Sequence, residues 1–194
     1  MNYPLNISFK ILAIARQLSV TDSTGRLIFY VKQKAFKLKE AVTVFADAEQ
    51  SQPIFKISAD RIIDFSASYH FTDMNDRPLG SVKRQGMRSL WRARYDIMNG
   101  DGPPLIIQEA NAWTKVLDGL FGEIPIVGMF SGYVFHPAYH VMRPDQKVVM
   151  RIEKQPAFFE GRYKIEKLEP LSESEETRVL LALLMMVLLE RRRG

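Results

Sequence analysis

The sequence contains no cysteine. That absence excludes disulfide frameworks, thiol catalysis, cysteine-ligated zinc, iron–sulfur clusters and S-palmitoylation, and it suits a reducing compartment. Also missing is any run of the 20 or so apolar residues that a membrane-spanning helix needs. The nearest approach is Val179 to Leu189, so no transmembrane span is expected. The opening residues, MNYPLNISFKILAIARQ, carry no basic leader, and Lys10 divides the apolar run from Ile7 to Ala15. A secretory signal is not expected despite Ala13-Ile14-Ala15, and the protein reads as cytoplasmic. Catalytic signatures are lacking too: there is no G-x-S-x-G elbow, no Walker loop and no H-E-x-x-H helix. The sequence reads as non-enzymatic, with no cofactor and no metal site.

What remains is the composition of an ordinary folded chain. Its 194 residues are 46% hydrophobic and 25% charged. A chain of this length buries roughly 70% of its unfolded surface without a metal or disulfide staple, and a single domain over residues 1–194 is expected. The excess of 27 Lys and Arg over 22 Asp and Glu leaves a net charge of +5, which favours anionic partners.

A hairpin recurs along the first half. Leu18 to Val31 holds an alternating segment, a polar turn from Asp22 to Gly25, and a second segment rich in β-branched and aromatic residues. The same shape returns at Val42–Asp47 with Ile54–Ile57, at Tyr69–Asp73 with Leu79–Val82, and at Arg94–Asn99 with Leu105–Gln108. Asp22, Asp47, Asp73 and Asn99 stand about 26 positions apart, and an Asx side chain serves a turn by bonding the backbone just beyond it. Tandem hairpins of this kind predict an antiparallel meander. A long sheet of that sort either leaves two edges open or closes into a barrel, which removes both.

The pattern changes after residue 110. Asn111 can cap a short helix with Trp113, Val116, Leu117, Leu120 and Phe121 on one stripe. Repeated Gly and Pro from Gly119 to Pro137 then interrupt regular structure. Strands are expected again at Tyr133–His136, Tyr139–Arg143, Lys147–Glu153 and Phe158–Leu168. His136-Pro-Ala-Tyr-His140 has the spacing of two helical metal ligands, but Pro137 opposes that helix and no third ligand is near.

The end of the chain reads as a helix over about 173–192. Ser172-Glu-Ser-Glu175 is a capping box, Glu173, Glu175 and Glu176 suit the positive end of the helix dipole, and Arg191, Arg192 and Arg193 suit the negative end. Between them Val179 to Leu189 is apolar on every face, so this helix has no side for water and must be surrounded. Eleven residues rise only about 17 Å, roughly half of a bilayer core, which leaves the interior of a barrel as the better host. The alternative is a helix held between two sheets.

The tandem units, as in Asp22-Ser-Thr-Gly25-Arg-Leu-Ile-Phe-Tyr-Val31-Lys32-Gln33-Lys34-Ala35-Phe36-Lys37-Leu38, and the ending Phe159-Glu-Gly-Arg-Tyr-Lys-Ile-Glu166 before an apolar helix resemble the LURP-one-related proteins. These belong to the tubby C-terminal and phospholipid scramblase-like superfamily. The resemblance covers nearly the whole chain and implies a mainly β fold, a closed antiparallel barrel of about twelve strands around a buried hydrophobic C-terminal helix. Relative to the simplest members, residues 111–132 look like a helical and Gly/Pro-rich insertion. Tubby-like relatives bind phosphoinositide headgroups with Lys and Arg, so the resemblance also implies an anionic-lipid site. Family scramblases carry palmitoylated cysteines and an acidic calcium-binding stretch before the last helix, and this chain has neither. Scramblase-like activity without calcium or palmitoylation stays as a second alternative.

Basic windows are the candidate site. Lys32, Lys34, Lys37 and Lys39 form one, and Lys83, Arg84, Arg88, Arg92 and Arg94 form the other, with Trp91 placed to stack or insert. Each window follows the second strand of a hairpin. Equivalent connections at one rim would join them into a surface for an anionic membrane or a phosphoinositide headgroup. The same lysines also suit a solvated outer face with protected edges. A protein partner docking on the stripe near Trp113 is the other alternative. Nucleic acid ranks third, since the charge permits it but no recognised motif accompanies it.

Overall fold

The computed structural model describes residues 1–10, 15–34, 41–60, 67–85, 94–99, 104–110, 138–157 and 160–190. Among them the strands in chain order are β1 (Leu5–Lys10), β2 (Ala15–Thr21), β3 (Leu27–Lys34), β4 (Val42–Phe45), β5 (Pro53–Ala59) and β6 (Ser68–Asp73). They continue with β7 (Pro78–Arg84), β8 (Arg94–Met98), β9 (Leu105–Glu109), β10 (Ala138–Met142), β11 (Val148–Gln155) and β12 (Glu160–Lys167), before helix α1 (Glu173–Glu190). Each strand pairs antiparallel with its chain neighbours, and β1 pairs with β12 to close the barrel. The expected meander, its closure and the enclosed helix are all present.

The turns form for the reason the sequence suggested. The Asp22 carboxylate accepts hydrogen bonds from the amides of Thr24 (3.0 Å) and Arg26 (3.1 Å) and from the Thr24 hydroxyl (2.6 Å). Asp47 accepts from the amides of Ser51 and Gln52, and Asp73 from those of Asn75 and Arg77. Asp145 repeats the device once more, accepting from the Lys147 amide. A carboxylate that takes turn amides is held in its charged form. Hydrogen bonding from Thr24 lowers the pKa of Asp22, and bonding from Ser51 lowers that of Asp47.

Closure depends on a strand that the sequence reading did not separate from its surroundings. In β1 only Leu5, Ile7 and Phe9 alternate, and the apolar residues 11–15 follow at once, which blurs the period of two. Tertiary pairing resolves it: Ile7 lies opposite Val20 of β2 on one side and Tyr163 of β12 on the other. Phe9 needs room to do this. A Cβ on Gly161, its cross-strand partner, would run into the Phe9 ring, which would have to move to admit any larger residue.

Twelve strands about 4.8 Å apart, tilted as barrel strands are, enclose a cylinder of radius about 11 Å. That is the sum of a helix with its side chains, about 5–6 Å in radius, and one layer of wall side chains. Residues Arg178 to Leu188 of α1 are accordingly all buried, and Val179, Leu181, Ala182, Leu183, Leu184 and Met185 are fully so. No solvent face exists, which explains why the sequence shows no polar stripe. The capping box is made reciprocally: Ser172 Oγ accepts from the Glu175 amide at 3.2 Å, and Glu175 Oε2 from the Ser172 amide at 3.4 Å. The helix is described as far as Glu190, so Arg191, Arg192 and Arg193 lie outside the described residues. None of the described helices is long and apolar enough to cross a membrane.

Candidate functional site

An antiparallel meander gives the barrel two unlike ends. At one, the turn rim, lie the Asp turns beginning at Asp22, Asp47 and Asp73, the turn at Asp145, and the first residues of α1. At the other, the loop rim, β1, β3, β5, β7, β9 and β11 end and their partners begin, and α1 finishes. The helix therefore runs from the turn rim to the loop rim, and side chains pin it at both.

At the turn rim Tyr3 donates to Glu176 Oε1 at 2.8 Å, and Lys167 pairs with Glu176 Oε2 at 2.9 Å while lying 4.8 Å from the centre of the Tyr3 ring. Arg143 reaches Glu175 at 3.0 Å. One turn further in, Arg178 Nε donates to the Leu79 carbonyl at 2.6 Å. This guanidinium passes so close to β7 that a Cβ on Gly80, whose φ is +127°, would sit 2.7 Å from Arg178 Cδ and 2.5 Å from the Met98 carbonyl oxygen. Burial lowers the pKa of Arg178, with Glu175 opposing the shift.

At the loop rim the helix ends in a polar cluster. Tyr95 is fully buried and donates to Glu190 Oε1 at 2.6 Å, and the Arg84 guanidinium lies 5.9 Å from the centre of the Tyr95 ring. Tyr139 and Tyr163 are buried beside them. Burial first, then the Glu190 carboxylate, raises the pKa of Tyr95, Tyr139 and Tyr163, so these phenols stay protonated, and Tyr95 donates to the Glu190 carboxylate. Sequence reading missed this cluster. The signal available was small, namely a single polar residue at the last inward position of β7, Arg84, and another at the first inward position of β8, Tyr95.

The candidate residues divide accordingly. Lys32, near the end of β3, and Lys83, next to last in β7, are exposed at the loop rim. Arg84 belongs elsewhere. It was expected beside Lys83 on the anion-binding surface, but successive strand residues face opposite ways, so Arg84 follows Val82 inward and is only 8% exposed. Arg94 is half-buried and pairs with Asp96 at 3.5 Å. Lys34 lies in β3 at the same rim. Lys37, Lys39, Arg88, Trp91 and Arg92 lie outside the described residues, as do His136, the strand expected at 133–136, the stripe from Trp113 to Phe121 and the whole of 111–132.

Among the described residues, charge on the outer wall is paired along single strands by Arg151 with Glu153 at 2.8 Å and Lys164 with Glu166 at 2.6 Å. Lys32 and Lys83 make no ion pair among the described residues, and neither does Lys154, exposed next to last in β11. No three His, Cys, Asp or Glu side chains are grouped to hold a metal among the described residues. Among the described residues the arrangement offers ammonium groups without ion-pair partners at the loop rim and groups no three potential metal ligands there.

No curated protein and no solved structure matches the chain. The model of the LURP-one-related family matches residues 27–166, from the first residue of β3 to the last turn of alternation in β12. That span contains ten of the twelve strands, while β1, β2 and α1 lie beyond it and complete the barrel and its core. The chain belongs to the LURP-one-related family.

Proposed function

We propose that this chain is a binding module rather than an enzyme, and that it engages anionic phospholipid or phosphoinositide headgroups through the loop rim of its barrel as a peripheral membrane protein. One observation carries the reading. The strands that lead into both basic windows, β3 and β7, end at the same rim, and they bring exposed Lys32 and Lys83 there without carboxylate partners among the described residues. Each ammonium group attracts anionic lipid with about 1 kcal/mol near the surface, within a Debye length of about 8 Å at physiological salt. Lys34, Lys37, Lys39, Arg88, Arg92 and Arg94 supply further charge in the two windows, and Trp91 an interfacial aromatic.

The test is co-sedimentation with vesicles of phosphatidylcholine alone, with added phosphatidylserine, and with added phosphatidylinositol bisphosphate. Binding to the anionic vesicles only, lost as salt rises and lost again in a Lys83→Glu, Arg88→Glu, Arg92→Glu variant, is the expected result. Arg84 is left out of that variant because it is buried against Tyr95. Failure to bind any anionic vesicle at low salt would refute the reading.

A further inference from the structure

The three exposed lysines without ion-pair partners among the described residues sit on β3, β7 and β11. In a closed ring of twelve strands each is four strands from the next, counting through β12 and β1 back to β3. They therefore divide the rim into equal thirds. All three lie within the last residues of strands that run the same way, so all three belong to the loop rim: Lys32 third from the end of β3, Lys83 and Lys154 next to last in β7 and β11. Lys154 follows Ile152 on the inward parity, but at the mouth it stays exposed. On a cylinder of radius about 11 Å, points a third of a turn apart are separated by about 20 Å. A single inositol phosphate headgroup, under 10 Å or so across by ordinary bond lengths, cannot touch two of them. A plane of many headgroups can touch all three.

The opposite end is mixed in sign. Glu49, Asp76, Asp145 and Glu173 are exposed in its turns or at the start of α1, beside exposed Arg26, Arg77 and Lys147, and Lys147 pairs with Glu169 at 2.9 Å, so among the described residues that end carries no comparable set of lysines without ion-pair partners.

We propose that Lys32, Lys83 and Lys154 form a tripod that seats the barrel upright on a flat anionic bilayer, loop rim down and turn rim away, in place of a pocket for one headgroup. The proposal rests on the anionic-lipid reading above and adds to it the partner, an extended anionic surface, and the orientation. Monovalent phosphatidylserine at sufficient density suffices, because what the tripod reads is surface charge.

Two measurements test it. The first is partitioning onto vesicles of phosphatidylcholine with phosphatidylserine for Lys32→Ala, Lys83→Ala and Lys154→Ala, singly and together, with thermal melting as the check that exposed substitutions leave the fold intact. Each single variant should weaken partitioning about 5-fold, the triple variant by about 100-fold, and excess soluble inositol trisphosphate should not displace the protein at matched ionic strength. The second uses the absence of native cysteine. Ala157→Cys, exposed just after β11, and Ser23→Cys, exposed in the β2–β3 turn, each carry one polarity-sensitive fluorophore. The label at 157 should shift to the blue on vesicles and the label at 23 should not. Wild-type protein that ignores anionic vesicles overturns the function and the tripod together. Binding that requires phosphatidylinositol bisphosphate and is displaced by inositol trisphosphate overturns the tripod alone, as does a blue shift at 23 without one at 157, or a Lys154→Ala variant that binds like wild type.

Discussion

Leu184 stands near the middle of the enclosed helix and has no exposed surface. Replacing it with Ala removes most of a buried aliphatic side chain and leaves a cavity, at a cost of about 2–5 kcal/mol. For a chain of this length each kcal/mol moves the melting temperature by roughly 2–4 °C, so a loss near 3 kcal/mol lowers it by about 6–12 °C. Leu184→Asp is a different order of perturbation. It forfeits the same packing and adds the desolvation of a carboxylate, several kcal/mol for an ion inside a protein. The charged groups nearest along the helix, Arg178 and Glu190, are each six residues away, about 9 Å along the axis, and both are engaged elsewhere. Together these costs reach the whole stability of a typical domain, about 5–15 kcal/mol. Circular-dichroism melts and size-exclusion chromatography of the two variants are the assay. The alanine variant should melt early but cooperatively, and the aspartate variant should yield no folded monomer. Should both melt within about 2 °C of the parent, the range of a neutral surface change, the helix is not the core of this barrel.

Three further outcomes follow from the same contacts. Gly161→Ala should destabilise by more than Ser23→Ala in urea titrations, because the new methyl meets the Phe9 ring while position 23 is exposed; equal midpoints would contradict the β1–β12 packing. Ser172→Ala should cost about 1 kcal/mol through loss of the N-cap, and Ser172→Asp should recover most of it, with unfolding midpoints as the check. Tyr3, Tyr95, Tyr139 and Tyr163 have pKa values raised by burial, so the stability they contribute is complete below pH 10 or so and declines as pH rises beyond it. Tyr95→Phe should accordingly leave the ultraviolet phenolate signal below the alkaline unfolding transition unchanged, and a reduced signal there would show that Tyr95 ionises in the folded protein.

Much of the architecture was readable because its causes are local or nearly so. Asp22, Asp47 and Asp73 bond amides within five residues, and the capping box from Ser172 to Glu175 closes within three. The all-round apolarity of Val179 to Leu188 forced enclosure before any partner was known. What stayed hidden depends on distant pairing. The strand β1 acquires its identity from Val20 and Tyr163, 13 and 156 residues away in sequence. Arg84 looked like its neighbour Lys83 until the register of β7 turned one inward and the other outward. Lys154 went unnoticed because Glu153 beside it and Arg151 before it make its window mixed in sign, and only the count of strands around the ring sets it a third of a turn from Lys32 and Lys83.

Hydrogen exchange followed by mass spectrometry, with and without phosphatidylserine vesicles, probes the enclosed helix most directly. Amides of Val179 to Leu188 should exchange only through global unfolding and at the same slow rate in both conditions, since the helix is held by the wall and takes no part in membrane contact. Exchange of those amides within minutes in the free protein, or its acceleration once vesicles are added, would mean that the barrel does not keep its helix.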